Sequence, residues 1–175
     1  MICAFLTASL PVLRSGSAPE MTVEEFDAAV RDELPEEAFR RLIQWDDPET
    51  VPEEPVYREM RRFREYLRYR IARMRAERLD RSDRFEIPEE FFGEVDHAVG
   101  GAVSATPLER EAIIDSCCWR KLDDLEVGHE MDFAHLCIYR IRLAMLAKYA
   151  GRDGVHGSGN FEAALDKLAA GFGEV

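Results

Sequence analysis

His129, Asp132 and His135 follow one another at intervals of three, H-x-x-D-x-x-H, and two imidazoles with a carboxylate are donors suited to zinc. Each helical step of three turns the donor by about 300°, so the two histidines would diverge by roughly 120°. A metal pair on one helix needs i, i+4 spacing, as in H-E-x-x-H, and that motif is absent. Asp132 reads more simply as a helix cap, with His129 as a hydrogen-bonding corner residue. The alternative is a small helical enzyme or metal-binding protein using the His129, Asp132 and His135 corner. Cys117 or Cys118 could act as a nucleophile with His129 as base. Both thiols fall mid-helix in an apolar pattern, whereas reactive thiols favour helix N-termini and electropositive pockets. The glycine-rich run from Gly151 to Gly159 could cradle a phosphate, yet it lacks the G-K-[S/T] that enters a helix in phosphate loops. A flexible turn is expected there. Asp123 and Asp124 are adjacent and point apart on a helix. These residues predict no catalytic group, no metal site and no cofactor.

The strongest concentration of charge is cationic. Arg58, Arg61, Arg62, Arg64, Arg68, Arg70, Arg73, Arg75 and Arg78 lie within one stretch of an acidic chain. Three readings apply: a solvated, salt-bridged face, a docking surface for an acidic protein, or a nucleic-acid surface. Tyr57, Phe63, Tyr66 and Tyr69 interleave with the arginines, but no nucleic-acid motif accompanies them. Arg58, Arg61, Arg62, Arg64, Arg68 and Arg75 are the candidate partner-binding residues.

The elements that must position these groups read as helices. Between Pro55 and Asp80, Val56, Met60, Phe63, Leu67, Ile71 and Met74 recur at spacings of three and four, a seam for packing against another long helix. Thr106, Pro107 and Glu109 form a capping box with proline at the first helical position. Gly128 should stop that helix and Asp132 should cap the next, giving a hairpin with a Gly-His corner. Thr22 with Glu25 opens an earlier helix to about Leu34, and Pro35 begins another that turns Ala38, Phe39, Leu42 and Ile43 inward. Asp46 to Pro55 holds three prolines and reads as an extended connector. A short apolar helix is expected around Phe91, Phe92 and Val95, with Gly100 and Gly101 breaking the chain after it. Arg81 to Pro88 reads as a polar linker, and a last helix is expected from Asn160 to Gly171. Period-two strand patterns are few. The expected fold is all-α, a helical bundle with one long arginine-rich helix packed on a helical hairpin. One domain covers 1–175, with 1–21 an N-terminal apolar segment and loop and 22–175 the bundle.

Composition agrees with a globular protein: 175 residues, 46% hydrophobic, formal net charge −12. The negative charge disfavours nonspecific nucleic-acid binding. Cys3, Cys117, Cys118 and Cys137 show no C-x-x-C spacing and read as small buried apolar residues. Ile2 to Leu10 is apolar but lacks a preceding basic segment, and Pro11 and Arg14 follow at once, unlike a secretory signal. No run approaches the roughly 20 apolar residues of a membrane span. A cytoplasmic location is expected.

Several blocks resemble, in order, a bacterial family of unknown function that is encoded beside V-type ATPase genes. That family stands in for the funnel-shaped, all-helical component that seats the central stalk on the membrane ring. A-F-L-T-A-S-L-P at the start is similar to the family's Y-L-V-A-S-L-P. E-E-F follows at Glu24 to Phe26, then R-E-Y-L-R-Y-R-I-A-R-M-R-A-E-R-L from Arg64 to Leu79. The last block is P-L-E, then W-R-K-L-D-D-L-E-V-G-H with D-F, between Pro107 and Phe133. The resemblance implies a non-catalytic helical accessory subunit of a V/A-type rotary ATPase, held by protein-protein contacts between stalk and membrane ring and peripheral to the cytoplasmic membrane. Its partners would be other V/A-type ATPase subunits. The full stalk-seating funnel is about twice as long and has three similar helical domains, so the torque-bearing role does not carry over with the resemblance. A homo-oligomer and a free-standing helical adaptor share the same expected fold.

Overall fold

Thr22 and Thr106 open their helices by the same reciprocal device. Each threonine hydroxyl accepts the N–H of the residue three positions on, Glu25 or Glu109, while that glutamate accepts the threonine's own N–H at 2.8 Å. The computed structural model describes residues 2–47, 49–79 and 90–150, and among them it is all-α, with seven helices and no strand. These are α1 (Ile2–Ser9), α2 (Val23–Glu33), α3 (Glu36–Ile43), α4 (Pro55–Arg78), α5 (Gly93–Gly101), α6 (Pro107–Glu126) and α7 (Phe133–Ala150), with a 3-10 turn at Gln44–Asp46. The expected linker Arg81 to Pro88, the glycine-rich turn Gly151 to Gly159 and the helix Asn160 to Gly171 lie outside the described residues.

The seam of α4 is as the spacing predicts. Val56, Met60, Phe63, Leu67 and Met74 are buried, and Ile71 is half-buried. Tyr57 joins them, fully buried, because its hydroxyl donates to Leu42 O at 2.6 Å and so leaves no polar atom stranded. α4 packs against α5 and against both arms of the α6–α7 hairpin.

The centre of the bundle is α7. Leu136, Cys137, Ile138, Tyr139, Arg140 and Ile141 are buried in succession, so this helix has no solvent face along its middle turns. It is walled by α1, α2, α4 and α6. Glycine ends the preceding helix as expected: Gly128 has φ +85°, the left-handed conformation that terminates α6, and His129 N donates to Glu126 O at 2.8 Å. Asp132 Oδ1 then accepts the His135 N–H at 3.2 Å and caps α7.

Two local expectations are corrected. Phe91 and Phe92 precede α5 rather than belonging to it, and Gly100 and Gly101 form its last turn rather than a break. Each glycine inside a helix costs about 1 kcal/mol relative to alanine. Burial of Val95, Ala98 and Val99 on the inner side of that short helix offsets the cost. The N-terminal apolar segment, readable as strand or helix, is the helix α1, with Leu6 inward and Phe5 outward.

Candidate functional site

The six arginines singled out on α4 divide into bound and free. Arg61 reaches back across the acidic connector, donating from Nη2 to Gln44 O at 2.8 Å and also to the carbonyls of Asp47 and Thr50. It holds the connector against α4, so its donors are spent within the chain. Arg62 pairs with Glu59 at 3.6 Å and with Glu90. The Arg64 guanidinium lies over the Trp45 ring at 5.0 Å, a cation–π contact that orients both groups. Trp45 in turn rests against Tyr57, ring centroids 5.5 Å apart. The side chains of Arg58, Arg68 and Arg75 are exposed and make no ion pair or hydrogen bond among the described residues. A cleft of about 260 Å³ opens between Trp45, Arg61, Arg64, Glu65 and Arg68. Of the other arginines, Arg70 pairs with Asp96, which also accepts from the Tyr66 hydroxyl at 2.9 Å, and Arg73 pairs with Glu77 at 3.0 Å. Among the described side chains of the basic face the others are thus internally matched, and the free charge is concentrated on these three.

At the Gly-His corner the two histidines go to separate carboxylates. His129 Nδ1 donates to Asp132 Oδ2 at 2.6 Å, whereas His135 Nδ1 lies 2.8 Å from Glu126 Oε1, misaligned for a hydrogen bond. Glu126 also accepts from Arg142, which pairs with Asp123 as well. Burial pushes against the Asp132 charge, but the His129 side chain and the backbone N–H of His135 and Ala134 hold its carboxyl below the ordinary range. Among the described residues no three His, Cys, Asp or Glu side chains gather as a metal-binding set. Cys117, Cys118 and Cys137 are buried free thiols. Burial pushes Cys118 up to about 11 and Cys137 up to about 12, so both are protonated at neutral pH and poor nucleophiles.

Sequence reasoning passed over Arg140. This side chain is only 3% exposed and forks onto two aspartates from distant parts of the chain: Asp27 of α2 (Nε to Oδ1 2.8 Å, Nη2 to Oδ2 2.7 Å) and Asp46 of the 3-10 turn (Nη1 to Oδ1 3.0 Å, Nη2 to Oδ2 2.6 Å). Burial alone would lower its pKa, yet the hydrogen bonds it donates to the two carboxylates raise it above the ordinary arginine value. The signal was available: a cation inside the apolar run L-C-I-Y-R-I-R-L is seldom buried without a paired anion. Arg140 fixes the turn that carries Asp46, and through it the neighbouring Trp45 that Arg64 covers.

No helix among the described residues is long and apolar enough to cross a membrane. Comparisons with protein-family models, with curated proteins and with solved structures find no match.

Proposed function

We propose that the protein is a non-catalytic helical accessory subunit of a V/A-type rotary ATPase, similar in place to the helical funnel between stalk and membrane ring, and that it docks onto other components at the cytoplasmic side of the membrane. The observation that carries this reading is the trio Arg58, Arg68 and Arg75. Their charges are unmatched within the described chain, on a helix whose other side is locked into the bundle core. α4 holds nine arginines and three glutamates in a chain of net charge −12, a concentrated opposite charge that suits docking to an acidic surface. The ordered sequence blocks named above supply the identity of the partner, and those blocks include most of α4 and α6. Rigidity suits the role, since a preformed surface loses little conformational freedom on binding.

The test is recovery of partners from native membranes. Tagged protein is expected to bring down rotary ATPase subunits identified by mass spectrometry, at roughly equal stoichiometry after a salt wash. A preparation that yields none of them, while the complex itself is intact in the same extract, overturns the assignment.

A further inference from the structure

Helical steps of 100° place Arg61, Arg64, Arg68 and Arg75 within about 60° of one another, on the side of α4 that also carries Ala72 and Leu79. Arg61, Arg68 and Arg75 are spaced by sevens. Arg61 is held by backbone carbonyls and Arg64 by Trp45, which fixes one end of this side. Arg68 and Arg75 project freely, the half-buried Ala72 lies between them, and Leu79, 68% exposed, closes the other end. The part left open, Arg68 to Leu79, covers about 16 Å, long enough to seat three turns of a partner helix.

We infer that this side of α4 seats an acidic α-helix of a partner protein, with carboxylates one heptad apart opposite Arg68 and Arg75 and apolar side chains against Ala72 and Leu79. The inference rests on the docking reading above and adds the form of the partner. Spacing decides it. Arg68 and Arg75 stand about 10 Å apart along the axis, too far for one phosphate to bridge. A partner helix repeats its own side chains at the same distance, one carboxylate to each guanidinium. A small residue between the two cations lets a second helix approach closely, as at helix contacts generally. The exposed Glu65 beside Arg68 repels an acid placed there, so it sets the register and rejects an undifferentiated polyanion.

The experiment uses the full chain and three labelled peptides of roughly three heptads each. One carries glutamates seven apart flanked by leucines, one has the same composition with the glutamates distributed around the helix, and one is polyglutamate. Fluorescence anisotropy is expected to show the heptad peptide binding at least about tenfold more tightly than either control. Arg68→Glu/Arg75→Glu should weaken it about tenfold or more, Arg68→Gln/Arg75→Gln less, and Arg58→Glu little. Circular dichroism of each variant confirms that it is folded. Equal binding of the three peptides, or full binding by the folded double variant, overturns the inference. So does self-association in sedimentation that the double variant abolishes, because the occupant would then be a second copy of this chain. ATPase subunits recovered equally by the double variant would sink the stripe and leave the proposed function standing. Register-specific peptide binding with no ATPase subunit recovered would do the reverse.

Discussion

Removing the guanidinium of Arg140 would strand Asp27, 22% exposed, against the bundle interior and release Asp46 to solvent, because both lie on a guanidinium that is itself almost wholly buried. Arg140→Ala is expected to cost about 3–5 kcal/mol, the range for breaking a buried pair from one side. Asp46→Asn should cost less, about 1–2 kcal/mol, since Asp46 is 59% exposed and water can replace part of the bond. Guanidinium unfolding midpoints compare the two, and an Arg140 variant no weaker than the Asp46 variant would contradict the arrangement. The buried thiols give a second expectation at this scale. Their folded pKa values are raised by burial, so the unfolded chain loses those protons first. The resulting stability is fully present below the ordinary thiol value of about 8.5 and is lost as pH rises through about 11 to 12. A pulse of N-ethylmaleimide at pH 7.5, mapped by mass spectrometry, should label Cys118 and Cys137 only after unfolding. Neither Arg140's partners nor Arg61's carbonyls could be read from the sequence. Asp27 and Asp46 lie 113 and 94 residues from Arg140, so the choice of partner exists only once the chain is folded.

Helix by helix, the local devices were readable and the tertiary compensations were not. Capping boxes at Thr22 and Thr106, the stop at Gly128 and the seam of α4 each depend on residues within one or two turns. Gly100 and Gly101 mislead for the opposite reason: burial of α5, decided by distant helices, outweighs their poor helical propensity. The same distinction orders the substitutions. Leu67 is 5% exposed in the seam, so Leu67→Ala should cost about 2–5 kcal/mol and Leu67→Asp should leave the chain unfolded by circular dichroism. A folded Leu67→Asp protein of unchanged stability would mislocate the seam. Gly128 differs, because a Cβ there meets nothing within 4 Å. The cost of Gly128→Ala is therefore backbone strain at φ +85°, about 1–2 kcal/mol, and Gly128→Asn should recover part of it. Thermal melts of the two variants separate strain from packing.

At the scale of the described chain, α7 is tied to elements from both of its ends. Arg140 joins it to α2 and the 3-10 turn, the Tyr139 hydroxyl donates to Pro11 O at 3.0 Å, and Arg142 binds Asp123 and Glu126 of α6. Lys121 of α6 reaches Glu59 of α4 at 3.0 Å while its ammonium lies over Phe63 and Phe92. Such cross-linking predicts that the early helices and the hairpin unfold as one cooperative unit. The chain has two tryptophans placed to test this: Trp45 at the turn after α3 and Trp119 in the middle of α6. Trp45→Phe and Trp119→Phe variants leave one reporter each, in α6 and in the 3-10 turn respectively. Each is compared with helix content in its own variant, so a uniform loss of stability from the substitution does not affect the comparison. If α1 to α3 formed a separate unit merely leaning on the hairpin, Trp45 fluorescence would change at a lower denaturant concentration than helix content. If Arg140 and the shared core bind them into one unit, fluorescence and circular dichroism coincide in both variants. In the Arg140→Ala background the Trp45 transition should then move ahead of the Trp119 transition, because the fork that holds Asp27 and Asp46 to α7 has been removed while the α6–α7 pairings remain.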